Sequence, residues 1–374
     1  MRTKNYNLSK ILFCGFFCLM FTSCTSKKEL PKINIGDALL GAENVDISSY
    51  IKEIKYIPLE TSDSCMIGEI YAINKVGDLI YISDNNDNFF VFNTKGKFIR
   101  KIGRKGRGPQ EYYDIVGFTI DRKTEDIFLI GVGSLYRFSK NGDFRHVSRI
   151  EGNLQVGTFD NFNNLIFIFP TRMVNPDTTN LLAICNTEGN VIKYITSRTE
   201  DGNISVFNWI YSKEGFTYYK EELSDTLYRI GENLIPQACL LLDLKELSFT
   251  PELFEFSAMK KWVDYYRLYN MFDFKNLTIF NLQKGLMGRN ITSMVYLKEN
   301  GLAGFVGDKK GIGGIIIDGV TQLPITDENK ALVCLVSLDD IVENVGNIMN
   351  PDLAKIAKTT TANSNPVLSL ITFK

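Results

Sequence analysis

The sequence predicts an all-β fold: a six-bladed β-propeller with a helical insertion in its fifth unit and short helices near the C-terminus. Three observations carry this expectation. Phe92–Phe98 (F-N-T-K-G-K-F), Phe138–Phe144 (F-S-K-N-G-D-F) and Cys185–Val191 (C-N-T-E-G-N-V) share one pattern at steps of 46 and 47 residues. Repeats of that period mark stacked units that cannot bury their apolar faces alone. Around them, short β-rich runs alternate with Gly, Asn and Asp turns, about four runs to a unit. A hydrophobic content of 44% over 374 residues suffices for several small cores in series.

The first stretch reads as an export signal. Arg2, Lys4 and Lys10 give a positive start, and Ile11–Phe21 is an apolar run of 11 residues, too short to span a bilayer. Thr22 and Ser23 then precede Cys24. Small residues directly before a cysteine resemble the bacterial lipobox, whose cysteine becomes the lipidated N-terminus; Phe21 stands where that motif usually has Leu. Residues 1–23 are therefore expected to be a lipoprotein signal peptide, 24–50 a tether or linker, and 51–374 the propeller. Losing residues 1–23 removes three basic residues and no acid, which leaves 39 basic against 43 acidic residues. That balance gives no reason to expect nucleic acid or other polyanions as generic partners.

The first unit runs through Gly68–Asn74, a turn at Gly77-Asp78, Leu79–Ser83, a polar loop Asp84–Asn88, Phe89–Phe92, a turn at Thr94-Lys95-Gly96 and Lys97–Ile102. The second comprises Val116–Asp121, Ile127–Ile130, Ser134–Phe138 and Asp143–Arg149, and the third Gln155–Asp160, Leu165–Phe169, Leu181–Asn186 and Val191–Thr196, with a longer loop at Pro170–Asn180. In the fourth, Leu227–Ile230 echoes Leu135–Phe138. Leu297–Gly301 repeats the turn pattern 67 residues after Ile230, one period plus a helix of extra chain. Phe254, Ala258, Trp262, Tyr266 and Tyr269 have helical spacing, with Thr250 as cap and Pro251 at the first position, so Pro251–Asn270 is read as a helical insertion. The sixth unit draws on Ile312–Ile317, Ala331–Ser337 and Val367–Phe373, with a helical stretch over Leu338–Lys358 interrupted near Gly346 and Pro351. It lacks one strand, and Ile54–Leu59 is a spare of the right length whose pairing there would close the ring and remove an exposed edge.

Chemistry-bearing residues are few. The single histidine, His146, cannot form a His-rich metal site or a His pair. Cys65, Cys185, Cys239 and Cys334 lie far apart without zinc spacing and read as buried free thiols, although an oxidising envelope permits a disulfide. Arg100–Tyr112 (R-K-I-G-R-K-G-R-G-P-Q-E-Y) holds five cations and three glycines, so backbone N–H groups and guanidinium forks could cradle an anion. Arg104, Lys105, Arg107, Glu111 and Tyr112 are its candidate binding residues; the competing account is a blade-to-blade crossover with Glu111 pairing locally. Asp84, Asn86 and Asp87 are oxygen-rich enough for calcium but lack EF-hand spacing. Trp262, Tyr265, Tyr266 and Tyr269 could stack on a sugar. Helical packing would use all but Tyr265, which is therefore added to the candidate ligand-binding set.

Ile57-Pro58-Leu59-Glu60-Thr61, Ile102–Tyr112, Ile317-Asp318-Gly319 with Leu323-Pro324, and Asn365-Pro366-Val367-Leu368 resemble segments of the six-bladed β-propeller lipoproteins of Bacteroidota, an NHL-like family of unknown function. The resemblance implies the fold, a lipid-anchored place in the bacterial cell envelope, and binding rather than a known reaction; it supplies no catalytic residues. The expectation is a monomeric, non-catalytic binding or interaction module that meets the membrane through lipidated Cys24 and takes an unidentified ligand or protein partner, without a cofactor. The alternatives are a calcium-dependent lactonase-like hydrolase with a central-channel site, or an accessory protein of a glycan-uptake system.

Overall fold

The computed structural model describes residues 30–150, 156–159, 164–168, 180–196, 209–221, 224–249, 253, 262–285, 291–306, 331–336, 338–343, 348 and 350–374. The chain forms a six-bladed β-propeller. It begins with β1 (Lys32–Asn34), α1 (Gly36–Gly41), β2 (Asn44–Val45) and β3 (Ile51–Pro58). Blade one follows as β4 (Ile70–Val76), β5 (Leu79–Asp84), β6 (Phe89–Asn93) and β7 (Phe98–Lys101). Blade two is β8 (Gly117–Ile120), β9 (Ile127–Gly131), β10 (Ser134–Phe138) and β11 (Phe144–Arg149). Blade three is β12 (Val156–Phe159), β13 (Leu165–Ile168), β14 (Asn180–Cys185) and β15 (Val191–Thr196). Blade four is β16 (Trp209–Lys213), β17 (Phe216–Lys220), β18 (Thr226–Ile230) and β19 (Pro236–Asp243). Blade five is β20 (Tyr266–Asp273), β21 (Leu277–Lys284), β22 (Ile291–Leu297) and β23 (Ala303–Val306). Blade six contains β24 (Ala331–Val336), α2 (Leu338–Glu343), α3 (Pro351–Ala357) and β25 (Val367–Phe373).

Each blade is an antiparallel meander, and the first strands of blades one to four touch in turn to line the axis. Cores form between blades rather than within them, because both faces of a blade are apolar. Tyr81, Phe89, Ile115 and Leu129 fill the first interface, Phe128, Leu135, Phe167 and Cys185 the second, and Ile166, Ile184, Ile210 and Tyr219 the third.

Ring closure takes the expected form. The sheet order is β24-β25-β3, with β25 antiparallel to both neighbours and Leu368 opposite Ile57. The N-terminal strand thus completes the last blade. Asn365 is buried and locks the join: its Nδ2 donates to Glu60 O at 2.6 Å and Cys65 O at 2.7 Å, and its Oδ1 accepts from Ile67 N at 2.9 Å. The segments around Ile57–Thr61 and Asn365–Leu368 are therefore partners at one seam.

The repeat itself is the turn between the third and fourth strands. Asn93 Oδ1 accepts from Lys95 N and Lys97 N, Ser139 Oγ from Asn141 N and Asp143 N, and Asn186 Oδ1 from Glu188 N and Asn190 N. Each turn also docks on the outer strand of the preceding blade. Arg100 donates to Lys140 O at 2.8 Å, Ser148 to Glu188 O at 2.5 Å, and Lys193 to Leu234 O at 2.8 Å. The glycine is needed twice over, for a left-handed backbone (φ 80° at Gly96, 95° at Gly142, 84° at Gly189) and for that close approach. A Cβ at Gly142 would stand 2.9 Å from Ile102 Cδ1, one at Gly189 2.8 Å from Ser148 Cβ, and one at Gly96 would overlap the Pro58 carbonyl. The same turn in blade four carries Leu234 at the glycine position, with φ 54°.

Three expectations are corrected. The stretch assigned to a tether or linker is folded from Lys32 onward: β1 adds in parallel to β19 and β2 in parallel to β23, so blades four and five each gain a fifth, outer strand. Leu39 of α1 joins Ile33, Ile35 and Leu244 in the apolar cluster between those blades. The helical reading of Pro251–Asn270 fails at its C-terminal end, where Tyr266–Asn270 belong to the inner strand β20 and Trp262 lies in a single 3-10 turn at 262–264. Tyr266, Leu268 and Phe272 are good strand residues, and pairing with β21 outweighs the helical spacing. Positions 250–252 and 254–261 lie outside the described residues, as do residues 1–23, read as a signal peptide, Cys24, the loop residues 170–179 and the strand expected at Ile312–Ile317. Tyr112, read as a ligand-binding side chain, has no exposed surface. The four described cysteines are free, and burial pushes the Cys334 thiol up to about 12.

Replacing Gly96 by alanine combines an unfavourable left-handed backbone with a clash at Pro58, inside the closing seam. The expected loss is about 2–4 kcal/mol of unfolding free energy, read by denaturant titration, whereas Gly77→Ala, with open space around it, should lose only the backbone part.

Candidate functional site: the crossover between blades one and two

In an antiparallel meander, the second-to-third strand connections and the blade-to-blade crossovers emerge on one face of the ring. This loop face also carries α2 and α3; the opposite, turn face carries the tight hairpins. The Asp84–Asn88 connection and the crossover 102–116 meet on the loop face.

Asp84 is fully buried, and its carboxylate accepts from Gly68 N, Asn86 N, Asn88 N and Asn88 Nδ2 at 2.9–3.0 Å. Those four donors fill the oxygens that a cation would need, so the loop considered for calcium is built as a hydrogen-bonded knot. Among the described residues no group of three His, Cys, Asp or Glu side chains is placed to hold a metal ion. Asp87, at φ 56°, organises the crossover. Its Oδ1 accepts from Ile115 N at 2.9 Å, its Oδ2 from Lys105 Nζ at 2.5 Å, and its backbone carbonyl from the Tyr112 hydroxyl at 2.8 Å. That hydrogen bond to Asp87 holds the Lys105 ammonium above the usual lysine range. Burial raises the Tyr112 phenol, whose ring packs edge-on against Tyr136.

The glycine-rich stretch does form an anion nest, and Glu111 occupies it. Gly108 N donates to Glu111 Oε2 at 2.7 Å, and Arg104 Nε lies 2.5 Å from Glu111 Oε1. Gly106 wraps the carboxylate so closely that a Cβ there would overlap Oε2. The Gly108 amide, followed by the Arg104 guanidinium, lowers the Glu111 pKa. Of the three candidate cations, Arg104 and Lys105 are thus paired with carboxylates, while Arg107 projects over the Tyr113 ring at 5.8 Å from its centroid. Tyr113 is 59% exposed and Val132, on the neighbouring connection of blade two, 56%. Val132 N donates to Asp114 Oδ1, which joins the two segments. Tyr71 and Val116, exposed at the starts of adjoining inner strands, extend the same face. Tyr113 escaped the sequence reading because a single tyrosine after a charge run carries no periodic signal.

Tyr265 lies elsewhere, at the start of blade five, with its ring edge-on to Phe249 at 6.3 Å. It is not brought to the crossover. His146 sits in β11 opposite Arg137, on an outer strand. A shallow recess of about 430 Å³ on the turn side of blade four is lined by Phe216, Gly231, Glu232, Asn233 and Gln237.

A family model described as a domain of unknown function, DUF4934, matches residues 30–372. The chain is similar in structure to a Bacteroides fragilis protein described as exported, at 18% identity and a TM-score of 0.72, covering 92% of this chain and 100% of that one. It also matches a member of the DUF4221 family from Bacteroides vulgatus, at 12% identity and a TM-score of 0.47, covering 87% of this chain and 97% of that one. No curated protein matches. The first likeness speaks for the fold.

Because the Glu111 pKa is lowered on folding, its clamp on the crossover is complete above the ordinary carboxylate range and is lost as pH falls through the depressed value. The Gly108 amide should therefore lose protection, relative to its intrinsic exchange rate, as pH falls below the ordinary carboxylate range, read by hydrogen exchange. At neutral pH, Glu111→Gln should speed tryptic cleavage after Arg104 and Arg107 severalfold, and unchanged cleavage would contradict the clamp.

Proposed function

The chain belongs to the DUF4934 family, a β-propeller family of unknown function, and we propose that it is an envelope-tethered binding module whose ligand surface is the loop face of blades one and two. One observation carries this reading: a charged and aromatic pair, Arg107 on Tyr113, stands exposed on a crossover pinned from beneath by Asp87, Tyr112 and Glu111. A loop so held loses little freedom on binding. The exposed side chains Tyr71, Tyr113, Val116 and Val132 offer apolar area beside a cation, which suits a ligand with apolar ring faces and acidic groups, such as a carboxylated or sulfated glycan. Arg107 makes the charge contact. Lys105, Glu111 and Tyr112 hold the crossover in shape, and Arg104, 79% exposed, shields the flank of Glu111. The chemistry of the surface supports recognition without turnover.

The envelope location is part of the same proposal. It is supported by the positive start, the 11-residue apolar run and the small residues before Cys24, and by the description of the Bacteroides fragilis protein as exported.

Calorimetry with sulfated and carboxylated oligosaccharides should show binding that weakens with salt, and Arg107→Ala/Tyr113→Ala should lower affinity about tenfold or more, which is ~1.4 kcal/mol. Equal affinity in both proteins would remove the assignment, and consumption of the oligosaccharide would replace it with an enzyme. Separately, Cys24→Ala should leave the protein unacylated and in the soluble fraction; unchanged membrane association would refute the lipid anchor.

A further inference from the structure

We infer that the recess on the turn side of blade four is a second ligand site, where Arg229 takes the carboxylate of a free amino acid or of a short peptide's C-terminus. The ground is a comparison between two blades. Leu227–Ile230 in β18 echoes Leu135–Phe138 in β10, so Arg229 stands where blade two has Arg137. Arg137 covers the Phe128 ring, and two acids meet its guanidinium. Asp126 Oδ2 accepts from Nε and lies 2.8 Å from Nη2, and Glu188, on the docked turn of blade three, lies 3.9 Å from Nη1. Arg229 also covers an aromatic ring, Phe216 at 4.5 Å, but blade four has neither acid at the matching positions. Asp126 precedes Ile127, which pairs with Phe138; the residue before Thr217, which pairs with Ile230, is Phe216. The turn of blade five has Asn300 before its glycine, where blade three has Glu188. That turn also stands clear: among the described residues, a Cβ at Gly301 would find only Tyr296 Oη, at 4.0 Å. Arg229 Nε is buried and makes no hydrogen bond, and among the described residues no carboxylate forms an ion pair with the guanidinium.

The surroundings specify the ligand. Phe216 and Gln237 both line the recess; the first is the ring beneath Arg229 and the second its partner across β19. Phe216 meets Tyr218 edge-on and Tyr218 stacks on Tyr211, so the support under the guanidinium is fixed. Gly231 takes the place of the capping Asn93, Ser139 and Asn186, and a Cβ there would stand 3.1 Å from the Phe216 ring. The volume of about 430 Å³ is that of a small-molecule site. A guanidinium fork holds a carboxylate through two parallel hydrogen bonds, and the exposed Gln237 amide adds donors beside it. Glu232, on the same wall, disfavours a bare anion but accepts from a ligand that brings its own N–H groups. A carboxylate with N–H donors attached is the chemistry of an amino acid or a peptide terminus. The site lies on the face of the ring opposite the crossover of blades one and two.

The test is a saturation-transfer NMR titration of the full chain at neutral pH, with the dipeptide alanyl-alanine as probe. Binding should saturate, and the same dipeptide amidated at its C-terminus should bind about tenfold more weakly or worse. Arg229→Gln should weaken the dipeptide by a similar factor. Gln237→Ala, at an exposed position where folding is not at stake, should weaken it severalfold and decides the matter if Arg229→Gln does not fold. Alanine forms the second arm: affinity equal to the dipeptide's makes the ligand a free amino acid, and weaker binding makes it a peptide terminus. Arg107→Ala/Tyr113→Ala, on the loop face, should change nothing. No saturable binding, equal binding of the amide, or unchanged affinity in the folded variants of Arg229 and Gln237 would overturn the site. Loss of binding in the loop-face variant would also overturn it, by moving the dipeptide to the crossover.

Discussion

The pairing of β25 with β3 is the constraint on which the molecule depends. A propeller is a row of sheets whose cores lie between neighbours, so an unclosed row would leave two apolar blade faces and open strand edges in water. Here one strand contributed by residues 51–58 seals the last blade. The apolar cluster containing Ile57, Phe92, Ile279, Leu332 and Leu368 then runs unbroken from blade five through six into one. Asn365 adds polar order to that seam, since its amide is satisfied by backbone groups from the segment following β3. A buried amide with all its bonds made specifies one register where apolar contact alone would tolerate several.

Much of the fold was legible because one local problem recurs. In blades one to three the turn between third and fourth strands reverses the chain while approaching the previous blade, and it does so with a capping Asn or Ser followed by a residue with positive φ. Asn93 and Gly96, Ser139 and Gly142, Asn186 and Gly189 satisfy both needs, so the period showed in the letters. The parallel strands β1 and β2 gave no such sign. They are three and two residues long, and their pairing is dictated by edges hundreds of positions away. The inner strand of blade five was hidden for a different reason: Trp262, Tyr266 and Tyr269 satisfy helical spacing while the run Tyr266–Asp273 has strand chemistry, and only the partner β21 decides between them.

The crossover shows where residue types stop short of function. Glycines interleaved with arginines say that an anion will be held; they do not say whose. In the folded chain the anion is Glu111, and the nest serves to set the shape of the loop. What remains outward is the neighbour of the motif, Tyr113, with Arg107 laid across it. Rigidity beneath and adaptable side chains above are the arrangement by which a scaffold presents a surface.

The parallel seating of β1 also fixes how the molecule meets mechanical force. A pull on the N-terminus along the strand axis loads the β1 to β19 hydrogen bonds together, in shear, instead of peeling them one at a time. Behind that joint stand α1, with Leu39 in the core, and the second joint of β2 to β23. Only after both had given way would tension reach β3, the strand that holds the ring shut. The short N-terminal elements thus act as a strain relief between the outside world and the one seam the propeller cannot lose.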